Sequence, residues 1–160
     1  MKTRIKKFFA FLLIILVIGF LLPQNFRIPV KEATRKSFSQ DSFWFYPWGE
    51  SVTHKGVDIF AKKGTTIHSS TYGIVLILGP KWRLHYYAHL DSIKTSILTT
   101  VGAGSEIGTV GASGNAVGKP PHLHYTIKTI VPYPWRIDKS IQGWKKMYYL
   151  NPVTYLNESL

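Results

Sequence analysis

Hydrophobic positions along this chain change texture twice. Residues 8–22 are fifteen apolar residues without a charge, preceded by Lys2, Arg4, Lys6 and Lys7 and closed by Pro23. As a helix this run is about 22 Å long at 1.5 Å per residue, short of the roughly 30 Å hydrocarbon core, and Ile5 with snorkelling Lys6 and Lys7 extends it. No small-x-small cleavage site follows Leu22, and there is no cysteine for lipid attachment. The expectation is an uncleaved signal-anchor over residues 1–22: one transmembrane helix, its basic end in the cytoplasm and the rest of the chain exported. Cleavage and secretion is the alternative. Residues 23–40 mix Pro, Ser, Thr, Lys and Arg with few apolar positions and read as a linker.

From Asp41 onward the pattern is that of strands. An aromatic cluster over residues 42–48 ends in turn residues and reads as core or groove wall. Short β-like runs follow over residues 65–68, 74–78, 83–89, 106–110 and 122–130, punctuated by glycines. A helical period shows only around residues 142–149, and no internal repeat is present. These runs predict a mainly β domain over residues 41–160, a compact antiparallel sheet or β-sandwich-like fold.

Composition narrows the partners. At 160 residues there is room for one domain and an ordinary core. Twenty Lys and Arg against eight Asp and Glu make a formal charge of +12, which favours an anionic partner such as a lipid surface or an acidic wall polymer. No aromatic-plus-basic RNA motif or helix-turn-helix pattern accompanies the charge, so no nucleic-acid partner is expected.

The candidate chemistry lies in two histidine clusters. His54 and Asp58 are four residues apart, and His122 and His124 are separated by one residue. Strand side chains alternate faces, so each pair shares a face; Gly56 with its neighbours Val57 and Ile59 argues against a helix there. Four N and O donors in two distant clusters suit an open zinc site, which takes three protein ligands and a water. Absence of cysteine removes the thiolate-rich structural sites. Of the four donors, one is then free to act as a catalytic or supporting group. His89 closes the 83–89 run, and a regular strand would put His85, Tyr87 and His89 on one face. Beside zinc, His89 suits a general base or transition-state donor. His68 and His85 read as ordinary strand histidines.

Together, His54-Lys-Gly-Val-Asp58, Tyr87-Ala-His89-Leu90 and residues 111–118 leading to Pro121-His122-Leu-His124-Tyr125 resemble the LytM/lysostaphin family of zinc metallopeptidases. The resemblance runs from about Trp48 to about Leu156. It implies zinc ligands at His54, Asp58 and His124, and non-ligand catalytic histidines at His89 and His122. It also implies hydrolysis of peptide cross-links in bacterial peptidoglycan, in many envelope enzymes the bond between D-alanine and meso-diaminopimelate, in others one within glycine bridges. The implied location is the outer side of the cytoplasmic membrane, in the periplasm or cell envelope. An unrestrained wall hydrolase endangers its cell, so some control over it is expected. The departures are modest, Lys119-Pro120 before Pro121 and short loops around the groove, and bear on substrate choice. The rival reading is a non-catalytic module that binds peptidoglycan or activates an amidase; completeness of the five positions favours the enzyme.

Overall fold

The structure, a computed structural model, describes residues 2–74 and 77–160. Among the described residues, helix α1 (Lys2–Leu21) is followed by ten short strands: β1 (Val57–Phe60), β2 (Thr66–His68), β3 (Gly73–Ile74), β4 (Leu78–Gly79), β5 (Arg83–Ala88), β6 (Leu90–Ile93), β7 (Thr100–Val101), β8 (Glu106–Val110), β9 (His122–Thr129) and β10 (Tyr149–Leu150). Helix α2 (Pro152–Glu158) closes the chain, with the Asn151 side chain accepting from Val153 N as its cap. Of the strand expected over 74–78, residues 75 and 76 lie outside the described residues. The helical period near residue 142 is a 3-10 segment, Gly143–Tyr148.

Two antiparallel sheets face each other. The larger runs β1-β9-β5-β4-β3-β7, with β10 continuing the β1 edge of β9; the smaller runs β2-β8-β6. Strand β9 is the longest and pairs along both edges, with Asp58 opposite His124 on one side and Ala88 opposite His124 on the other. Its odd positions Leu123, Tyr125 and Ile127 are fully buried against Val57 and Ile59 of β1 and Ile67 and Val110 of the smaller sheet. Burying each such aliphatic side chain contributes about 1.5–3 kcal/mol. The even positions look out of the opposite face. The period-2 pattern thus becomes a sandwich with its core between the sheets and a working face on the outside of the larger one.

Two sequence expectations are corrected. Residues 23–40 are not a free tether: Val30, Ala33 and Phe38 are buried in the core, and Val30 bridges Ile67. Arg27 N donates to Ser70 O at 2.8 Å and His68 N to Pro29 O at 2.7 Å, so the segment covers the edge of β2. Its few apolar residues are spaced to reach the sheet, which a composition average conceals. The N-terminal run is helical, as expected, but no helix among the described residues is long and apolar enough to cross a membrane. Arg4, Lys6 and Lys7 occupy its first two turns and leave only the 8–21 portion apolar. The helix packs on Trp82, whose Nε1 donates to Leu16 O at 2.8 Å.

Candidate active site

The site is built where β1 and β9 lie side by side. Asp58 and Phe60 alternate with core-facing Val57 and Ile59, and the register sets them beside His124 and His122. His54 arrives from the loop before β1, which must pass close over β9. Gly56 permits that approach: a Cβ there would stand 2.5 Å from Tyr125 O and 3.0 Å from His124 Cε1.

His54 Nε2, Asp58 Oδ1 and His124 Nδ1 converge, at 3.2 Å (His54–Asp58), 3.1 Å (His54–His124) and 2.8 Å (His124–Asp58). His54 is buried and Asp58 9% exposed, so water does little to relieve this crowding. The protons can be counted. His54 Nδ1–H donates to Ser42 O at 2.9 Å, which leaves Nε2 with a lone pair. Burial would push the Asp58 carboxyl up, but the imidazoles of His124 and His54 beside it, His124 Nδ1–H as the donor, override it and hold the group well below the usual carboxylate range, so it carries no proton. At most one proton, on His124 Nδ1, lies among the three atoms. The Thr126 hydroxyl, 3.1 Å from His124 Nε2, can donate or accept, so it suits His124 either with that proton on Nδ1 or with it moved to Nε2. Three lone pairs can therefore be turned on one point, which is the donor arrangement of a cation site. Four-coordinate zinc with bonds of roughly 2.0–2.2 Å needs ligand atoms roughly 3.3–3.6 Å apart, so the trio has to open by less than about 1 Å, most at the His124–Asp58 pair. These residues fit the ion.

The fourth donor, His122, stands off. Its Nδ1–H donates to Pro120 O at 2.8 Å, and its Nε2 lies 3.9 Å from Asp58 Oδ2. His89 departs from strand regularity. His85 and Tyr87 point into the core, but His89 has φ of +66° and swings to the other face. That residue is where the chain leaves the larger sheet for β6 in the smaller one, and a left-handed non-glycine residue costs on the order of 1–3 kcal/mol. Its Nδ1–H donates to Ser113 O at 3.0 Å, and its ring lies 4.9 Å from that of His122. Burial, reinforced by the neighbouring His122 and His124, lowers the His89 pKa against a raising effect of the Ser113 carbonyl. All five residues named from sequence therefore meet, three as a donor cluster and two beside it.

A groove of about 490 Å³ opens over them, walled by Trp48, Phe60, Tyr86, Asn115 and Lys119. Of the aromatic cluster, Trp48 is groove wall here, stacked on His54 with ring centres 4.0 Å apart. Sequence reasoning missed Ser42, Thr126 and the carbonyls of Ser113 and Pro120 that orient the imidazoles. Thr126 had a signal, since it lies two residues beyond His124 on the same strand face; the backbone carbonyls had none. His85, read as an ordinary strand histidine, is a buried one bonded to Tyr125 Oη at 2.6 Å, and His68 lies in β2, away from the groove.

Comparison with known proteins agrees with this geometry. The Peptidase family M23 model matches residues 52–133. The L-Ala–D-Glu endopeptidase of Bacillus subtilis is 33% identical over an alignment covering 72% of this chain and 43% of the relative, so the chain spans less than half of that protein. Among solved structures, a putative glycyl-glycine endopeptidase LytM from Ruminococcus gnavus superposes with a TM-score of 0.60 at 22% identity, covering 90% of this chain and 65% of that one. The catalytic domain of EnpA from Enterococcus faecalis gives 0.54 at 21% identity, covering 82% and 97%. At those identities the structures speak for the fold. The family model takes in Asp58, His89, His122 and His124 with the strands that carry them, and the chain belongs to peptidase family M23.

Proposed function

We propose that this chain is a zinc-dependent endopeptidase that hydrolyses peptide bonds in bacterial peptidoglycan. The observation that carries the reading is the convergence of His54 Nε2, Asp58 Oδ1 and His124 Nδ1 beside two further imidazoles whose lone pairs are free. Two nitrogens and one carboxylate oxygen are the donor set of hydrolytic zinc. Held there, zinc supplies Lewis acidity that makes water nucleophilic near neutral pH and polarises the scissile carbonyl.

The protein's own groups do the rest. Ser42 O and the Thr126 hydroxyl keep the rings of His54 and His124 turned inward. Carbonyl acceptors at Ser113 and Pro120 take the Nδ1 protons of His89 and His122, leaving each Nε2 able to accept a proton from water and return it to the departing amine. Burial favours the neutral form of His89, which suits it to accept. Protonated, either imidazole can hydrogen-bond the oxyanion of the tetrahedral intermediate.

The family resemblance points to the D-alanine–diaminopimelate cross-link. The Bacillus relative gives a second reading, cleavage within the stem between L-alanine and D-glutamate. The chain is proposed to work in the cell envelope, with the basic, apolar α1 as the element that brings it to the cytoplasmic membrane. Digestion of cross-linked diaminopimelate-type peptidoglycan by the full chain, followed by mass spectrometry, tests both bonds. Conversion of dimers to monomers, abolished by chelator and restored by zinc, is the expected result. Stem peptides released from N-acetylmuramoyl-L-alanine would select the second bond, and inertness of the folded, zinc-loaded chain would refute the enzyme.

A further inference from the structure

The face that carries the metal ligands does not end with them. Along β9 the outward positions run His122, His124, Thr126 and Lys128, so Lys128 lies on the same face as His124 and four residues away, about 13 Å at 3.3 Å per residue. Tyr149 of β10 pairs directly with Lys128, and the Lys128 ammonium lies 5.3 Å from the centre of that ring. Trp44 meets Tyr149 with ring centres 5.9 Å apart and receives Lys55 Nζ at 5.9 Å and Lys146 Nζ at 5.4 Å from its own ring centre. Trp44 N also donates to His54 O at 2.6 Å, which ties this platform to the metal-site loop. Lys145 completes the group, over the exposed Trp144 ring at 5.5 Å.

This is a concentration of positive charge without its counterpart. Asp138 takes Lys146, at 2.5 Å. Lys55, Lys128 and Lys145 make no ion pair with any carboxylate among the described residues. The ammonium groups of Lys145 and Lys128 are near enough to Lys55 for their charges to be felt there. Aromatic faces offer each ammonium about 0.5–1 kcal/mol and hold it in place, but they do not cancel its charge. A cluster of like charges held on rigid rings has the field of an anion site.

Resting on the peptidoglycan endopeptidase reading, we propose that Lys55 and Lys128, set on the Trp44–Tyr149 platform, and Lys145 over Trp144 form a subsite for a carboxylate of the peptide substrate about four extended residues from the bond cut at His54, Asp58 and His124. Thr126, between His124 and Lys128 on that face, is 3% exposed, so a peptide passes over the side chains that cover it, and at about 3.3–3.6 Å per residue it spans the distance from the metal ligands to Lys128 in about four residues. A carboxylate on that peptide replaces the missing counter-charge and, held outside the groove, sets how far the peptide extends into it, hence which bond sits over the ligands.

The test measures equilibrium binding of a soluble, un-cross-linked disaccharide-peptide, with free carboxylates or with the same groups amidated, to the metal-free full chain, so that no turnover intervenes. The comparison is with Lys128→Ala/Lys145→Ala, which leaves Lys55 and its bonds to Ser51 O and Thr53 O in place. The expected result is a roughly tenfold weaker Kd for the carboxylate form in the variant, about 1.4 kcal/mol, with the amidated form bound alike by both proteins. Added salt should erode the wild-type advantage. Equal weakening of both forms, equal Kd values for the carboxylate form, or no binding by wild type would overturn the subsite. Supplying zinc and cross-linked peptidoglycan afterwards separates the two proposals: carboxylate-dependent binding of the soluble probe with no cleavage of the cross-linked polymer leaves the subsite standing and refutes the peptidase.

Discussion

The hydroxyl of Thr126 provides a sharp test of the metal-site geometry. Thr126→Val keeps the shape and β-branching of a residue only 3% exposed, and removes the single atom facing His124 Nε2. With a metal ion on Nδ1 the proton must reside on Nε2, where the ion's charge strengthens its bond to an acceptor. Valine offers none, so the metal-bound state loses a charge-assisted bond. The metal-free state loses only an ordinary one, since His124 Nδ1–H can still donate to Asp58 Oδ1 at 2.8 Å. Loss of such a supporting partner typically weakens metal binding 10–100-fold, or about 1.4–2.7 kcal/mol. Competition against a chromophoric chelator of known affinity reads this directly, and the zinc-induced rise in melting temperature should shrink in step. If the variant binds zinc within twofold of wild type while its metal-free melting temperature is unchanged, the Thr126–His124 bond does not orient the ligand and the proton count at the site is wrong.

Other outcomes follow from the same coordinates. His124→Ala should abolish zinc retention in gel filtration with metal analysis, whereas His89→Ala should retain one zinc per chain and lose roughly 10²–10⁴-fold in turnover on peptidoglycan; normal rates for the latter would remove His89 from the mechanism. Phe38→Ala should lower unfolding free energy by about 3–5 kcal/mol in urea, because Phe38 is 5% exposed in the core; a neutral effect would mean that residues 23–40 are a tether after all. Burial, helped by the nearby Arg83 guanidinium, holds the His85 pKa down to about 3. A histidine neutral when folded and protonated when unfolded stabilises fully above pH 6.5, and that stability drains as pH falls toward 3. Between pH 6.5 and 4.5 wild type should therefore lose stability faster than His85→Gln, by up to about 1.4 kcal/mol per pH unit, and parallel melting curves for the two would show that His85 is solvated.

The sequence by itself determined the donor set and much of the scaffold. Period-2 alternation set His122 and His124 on one face of a strand and Leu123 and Tyr125 on the other, whereas His54, expected on the same strand as Asp58, reaches it from the loop before β1. The alternation is a consequence of local backbone geometry, which is why it was legible. Tertiary structure decided everything that depends on which strands become neighbours. The β1–β9 register put Asp58 beside His124. A left-handed turn at His89, required where the chain changes sheets, moved that ring from the core side to the groove, against the regular-strand expectation. Residues 23–40 were packed onto β2 by long-range contacts that their polar composition hid. Lysines scattered over residues 55 to 145 became a patch only because β10 docks on β9 and carries the 3-10 segment with it. Local periodicity tells a side chain which face it is on; only the packed sheet tells it what it faces.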